Sequence, residues 1–70
     1  MRRTHIDSSS LESIGYDPAS RTLEVEFHGG RIYRYFGVPA RRYRDLLKAE
    51  SAGRFLNTRI KGVYDYAAVD

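Results

Sequence analysis

The chain has no cysteine among its 70 residues. That removes both a disulfide framework and a thiolate zinc centre as sources of stability, and it fits a reducing cytosol. Long apolar runs are missing as well. No stretch approaches the ~20 residues needed to span a bilayer, and Met1-Arg2-Arg3 leads into polar Thr4 and His5 rather than into the apolar core of a signal peptide. The expected form is soluble and cytoplasmic, with no membrane partner. The spacings of common catalytic and cofactor motifs are also absent: the sequence contains no HxH, HExxH, GxSxG or P-loop pattern. His5 falls in a terminal segment and His28 in a glycine-rich turn, so neither is expected in the desolvated pocket that tunes a catalytic imidazole. No catalytic residue, metal ligand set or cofactor is therefore expected.

Seventy residues make one domain at most. Leu, Ile, Val and Phe number 16, and six Tyr add further large side chains, which carries the chain clear of a disordered composition. At this size apolar burial and chain entropy nearly cancel, so folding is marginal. No repeat, linker or low-complexity tract interrupts the sequence. Residues 1–8 are expected to form an N-terminal tail, with Met1 to His5 reading as disordered, and residues 9–70 a single domain.

Along the chain, Ile14-Gly15-Tyr16 reads as a short strand closed by Asp17-Pro18-Ala19-Ser20, which has type I turn chemistry. Thr22 to Phe27 alternates Leu23, Val25 and Phe27 with Glu24 and Glu26, the period-2 pattern of a half-buried strand. Gly29-Gly30 supplies the positive φ angles of the next turn, and Arg31 to Phe36 is the third strand. Charge decides between two registers there. A two-residue loop turns Arg34 into the core beside Val25. A three-residue loop sets Val25 against Tyr33, Leu23 against Tyr35, and Glu24 against Arg34 on the solvent face, which is the better arrangement.

Pro39 suits the first turn of a helix, in which Tyr43, Leu46, Leu47 and Glu50 fall at i, i+3, i+4 and i+7. Asp45 stands four residues from Arg41 and can pair with it. Ser51 fits the N-cap of a second short helix that buries Phe55, Leu56 and Ile60 and ends at Gly62, with Arg54, Thr58 and Lys61 on its outer face. Val63 to Ala68 reads as a fourth strand. The expected fold is α+β: a small antiparallel sheet, a three-stranded meander plus a C-terminal strand, with two short helices on one face.

From Pro39 to Lys61 seven basic residues face two acidic ones, a local charge of +5 that leaves −2 for the remainder of a chain with net charge +3. Arg41, Arg44 and Lys48, with Arg54, Arg59 and Lys61 in the second helix, form a candidate phosphate-reading surface. The same stripe also reads as the solvated side of amphipathic helices. Tyr33 and Tyr35 are candidate stacking platforms for bases, or, if they face the helices, core residues. Glu24 and Glu26 are expected to solvate the exterior of the sheet and meet Arg34.

Ile14-Gly15-Tyr16-Asp17, Tyr33-Arg34-Tyr35, Val38-Pro39, the Ala49-x-Ser51-x-Gly53 run, Asn57, Ile60-Lys61 and Tyr64, taken in order, resemble the KTSC domain. This small bacterial module also occurs at the C-terminal end of some lysyl-tRNA synthetases. The resemblance spans about Ser9 to Tyr66 and implies no catalytic residue. Through the synthetase fusion it implies a link to RNA. The expected role is non-catalytic RNA binding, tRNA-like in preference, through the basic helical surface. A protein-interaction or homodimerisation module using exposed tyrosines or an uncovered strand edge is the alternative.

Overall fold

The alternating segment becomes the middle strand of a five-stranded antiparallel sheet in the computed structural model, which describes residues 1–69; Asp70, the last residue of the expected domain, lies outside the described residues. The strands are β1 (Thr4–His5), β2 (Leu11–Asp17), β3 (Thr22–Phe27), β4 (Ile32–Tyr35) and β5 (Tyr66–Val69), and their spatial order follows the chain. Between β4 and β5 lie helix α1 (Ala40–Lys48) and helix α2 (Ala52–Phe55), which runs directly into a π-helical segment, Leu56–Ile60. No helix among the described residues is long and apolar enough to cross a membrane.

The three-residue loop is the one adopted. Leu23 pairs with Tyr35, Glu24 with Arg34 and Val25 with Tyr33, and Gly29 and Gly30 take φ values of 101° and 94°. The other register would have turned Arg34 to the core face and Tyr33 and Tyr35 to the opposite one. One face of the sheet therefore presents Ile14, Leu23, Val25 and Tyr35, which are buried with Leu11, Val38, Leu46, Leu56 and Ile60. Ser51 caps α2 as its position predicts, its hydroxyl accepting the Arg54 N–H at 3.2 Å. Pro39 stands at the N-cap of α1, one residue ahead of the first helical turn.

The expected four-stranded sheet is corrected to five, and the correction falls on the terminal segment expected to be disordered. Thr4 and His5 pair with Ile14 and Ser13. The approach depends on Gly15, where a Cβ would lie 2.5 Å from the Arg2 carbonyl oxygen and 3.1 Å from Arg3 Cγ. At the other end the strand begins at Tyr66 rather than Val63, because the Val63 and Tyr64 amides both donate to the Ile60 carbonyl and close the helix instead.

The second helix also departs from expectation in its last turn. Lys61 N–H donates to the Leu56 carbonyl at 2.8 Å, an i→i+5 bond. Once that wider turn replaces an α-turn, the 100° spacing that put Lys61 on the outer face with Arg54 no longer holds. Lys61 leaves the helix in extended backbone (φ −64°, ψ 134°), with its ammonium 5.4 Å over the Phe27 ring. Glu50 lies outside α1, Leu47 is exposed, and Asp45 and Arg41 form no ion pair among the described residues. An exposed pair of that kind gains little in water.

Candidate nucleic-acid interface

The cations form a population outside the helices, of which Arg3 and Arg34 meet carboxylates while the exposed Arg2, Arg21 and Arg31 meet none among the described residues, and a helical population. On the sheet face away from the helices, Glu24 was expected to be solvated. Instead its carboxylate is 3% exposed and held between two guanidiniums: Arg34 Nε donates to Oε1 at 2.8 Å, and Arg3 donates to Oε2. Arg3 also donates through Nε to Ser13 Oγ at 2.9 Å, and that hydroxyl donates to Glu26. Burial works to raise the Glu24 pKa, but hydrogen bonds and charge from Arg34 and Arg3 outweigh it and hold the group below its ordinary 4.5. These arginines are internally matched. Arg3 was missed from sequence because its segment read as a tail; the one signal was that the adopted register gives two glutamates on this face a single cross-strand arginine.

The helical population is unmatched. Arg41, Arg44, Lys48, Arg54, Arg59 and Lys61 are all exposed, and among the described residues none lies within the 4.0 Å of a carboxylate that defines an ion pair. Arg41, Arg44 and Lys48 follow the outward side of α1, whose inward residues are Tyr43 and Leu46. Arg54 and Arg59 border a shallow concavity with Ser51, Phe55 and Thr58. Helices α1 and α2 touch one another, so the two basic stretches belong to one layer. Lys61 does not join them, since the π-turn directs it back toward the sheet.

The tyrosines divide as well. Tyr35 is buried at 1% exposure, the core role that its register implied. Tyr33 is half-buried: Phe27 meets it edge-on at 5.7 Å, and Tyr66 stacks on it at 5.7 Å with planes 4° apart. Tyr66 is 62% exposed. Tyr33, Tyr35 and Tyr66, with Lys61 and Gly62, line a cleft of about 300 Å³. Three of the sequence candidates thus meet at a place no helical periodicity suggested. Tyr66 was legible only as one of more tyrosines than so small a core can absorb.

A third cluster joins the sheet's first two strands to the β3–β4 turn. The Glu12 carboxylate sits 3.0 Å from His5 Nδ1 and 2.9 Å from His28 Nδ1, and His28 Nε2 lies 2.8 Å from the Ser8 carbonyl. With an acceptor on each ring nitrogen, His28 is best satisfied as an imidazolium donating twice. The Ser8 carbonyl is the main cause of its raised pKa; slight desolvation opposes the rise, and Glu12 and Glu26 add to it.

Comparison with known proteins places this geometry. The KTSC domain family model matches residues 7–68. The chain belongs to the KTSC domain family. The crystal structure of a KTSC domain protein from Yersinia pestis superposes with a TM-score of 0.93 at 40% identity, over 99% of this chain and 97% of that one. An uncharacterized protein of Stutzerimonas stutzeri is 46% identical over the full length of both chains. A lysine-tRNA ligase of Nostoc is 37% identical over 86% of this KTSC domain, which corresponds to 11% of the ligase.

Proposed function

We propose that this KTSC domain is a non-catalytic RNA-binding module that docks structured, tRNA-like RNA on the basic face of α1 and α2. The observation that carries the reading is the concentration of exposed, unpaired cations in the helical segment. Arg41, Arg44, Lys48, Arg54 and Arg59 are exposed and without carboxylate partners among the described residues, whereas Arg2, Arg21 and Arg31, equally exposed and unpaired, lie apart, ahead of β1 and in the β2–β3 and β3–β4 turns. Each helical cation can take a phosphate and release a counterion at no cost in broken ion pairs. Arginine, which supplies Arg41, Arg44, Arg54 and Arg59, also matches phosphate in bidentate geometry. The similarity to part of lysine-tRNA ligases supports RNA as the partner class.

The test is a titration of the whole chain with tRNA at several salt concentrations, following backbone amides. Shifts concentrated on residues 41–59, with affinity falling steeply as salt rises, are expected. The double charge reversal Arg44→Glu, Lys48→Glu should weaken all RNAs alike and lower the salt slope by about 2. An absence of shifts on residues 41–59, or binding indifferent to salt, refutes the reading. A second reading has its own observation: β5 (Tyr66–Val69) is an uncharged strand at the sheet edge with three exposed residues, which suits pairing with another chain.

A further inference from the structure

The helical layer leaves the β5 end of its own sheet face uncovered, and what lies there differs in chemistry from the basic surface. Tyr66 stacks on Tyr33, meets Tyr35 at 5.9 Å with the rings tilted by 36°, and remains 62% exposed. Tyr35 also lines the cleft, and although its ring is buried its hydroxyl is not among the buried atoms left without a partner and makes no protein hydrogen bond among the described residues. That hydroxyl is free to bond a polar group entering the cleft. Lys61 also lines the cleft; its ammonium, 5.4 Å over the Phe27 ring, has no carboxylate partner among the described residues. An aromatic platform, a phenol hydroxyl and a cation around about 300 Å³ match a planar group that carries polar edges and an adjacent negative charge. The cleft is too small for a duplex.

We propose that this cleft holds one unpaired nucleotide, its base stacked on Tyr66, its edge facing the Tyr35 hydroxyl and its phosphate at Lys61. The site rests on RNA being the partner, as read above, and adds a requirement for a single-stranded element that the helical cations do not impose. Stacking on tyrosine tolerates any base, so the site selects strandedness rather than sequence. The charge at Lys61 and the polar floor argue against a purely apolar occupant, which would leave both unsatisfied.

The chain carries six tyrosines and no tryptophan, so quenching of tyrosine fluorescence reads base stacking directly. Wild-type protein is titrated with a 5′-phosphorylated pentaadenylate and, separately, with a blunt RNA duplex, with NMR of ring and amide signals alongside. Pentaadenylate should quench fluorescence and move the signals of Tyr33, Lys61, Gly62 and Tyr66, while the duplex moves residues 41–59. Tyr66→Ala, at an exposed position, should weaken pentaadenylate about 5-fold or more and leave the duplex unchanged. Tyr35→Phe should lower pentaadenylate affinity without lowering the melting temperature. If Tyr66→Ala binds pentaadenylate like the wild type, or the cleft signals stay still, the inference is overturned while duplex binding sustains the basic-face reading. Cleft shifts without duplex binding keep the inference and overturn the basic face. No binding of either RNA overturns both. Concentration-dependent movement of the cleft signals without RNA overturns the inference in favour of a second copy of the chain.

Discussion

Replacing Glu24 by glutamine isolates the charge of a buried ionic group in the sheet. The amide keeps the volume and one acceptor oxygen but points an NH₂ at a guanidinium, so one charge-assisted bond is lost and the other weakens. Removing one member of a fully buried pair costs about 3–5 kcal/mol. Here the Glu24 side chain is 3% exposed, but Arg34 is 42% and Arg3 27% exposed. Water can solvate the released guanidiniums, which lowers the expectation to about 2–3 kcal/mol, or roughly 10–20 °C in Tm for a domain this small. The carboxyl pKa is depressed in the fold, so its contribution is complete above the ordinary value of 4.5 and disappears as pH falls through the lower folded value. Thermal unfolding followed by circular dichroism across pH 7 to 2 should thus show a large difference between wild type and Glu24→Gln at neutral pH that closes in acid, where the wild-type carboxyl is itself neutral. Other acids titrate in both proteins and cancel in the difference. A variant within the roughly 0.5 kcal/mol of a surface substitution at pH 7, or a gap that persists unchanged in acid, refutes the ionic account.

His28 should titrate above 6.5 in a ¹H–¹³C NMR experiment, and Glu12→Gln should bring it back toward that value. Because the folded pKa is raised, its contribution to holding the β3–β4 turn is present below 6.5 and lost as pH rises through the folded value, which exchange of the His28 amide, bonded to the Ser10 carbonyl at 3.1 Å, should register. Gly15→Ala places a Cβ 2.5 Å from the Arg2 carbonyl oxygen. It should release β1 and cost about 1–3 kcal/mol, seen as lost exchange protection at Thr4 to Ile6; retained protection there contradicts the close approach.

The sheet was legible in the sequence where period and charge agreed. Between Thr22 and Tyr35 the alternation of apolar residues and the Glu24–Arg34 pairing both select the observed register, so local pattern and tertiary contact reinforce each other. The helix N-cap at Ser51 follows from local hydrogen bonding alone. What stayed illegible depended on contacts distant along the chain. Arg3 reaches Glu24, 21 residues on, and no local propensity marks residues 4–5 as a strand. The site was split for the same kind of reason. Arg41, Arg44 and Lys48 lie on a regular helix, so their shared face was predictable, whereas Lys61 follows a π-turn that periodicity cannot foresee. The Tyr33–Tyr66 stack joins β4 to β5 across the two helices.

The placement of carboxylates determines what the remaining cations can do, and salt dependence makes that measurable. If RNA phosphates engage Arg41, Arg44, Lys48 and Arg54, the logarithm of affinity should fall against the logarithm of salt with a slope of about −3. Pairing of β5 edges would instead rest on backbone hydrogen bonds and uncharged contacts and keep its strength in salt. Lys61→Gln then separates the two RNA surfaces: it should lower the slope for pentaadenylate by about 1 and leave the duplex slope as it was. An equal loss for both RNAs would place Lys61 with the helical cations, against the turn that directs it over Phe27.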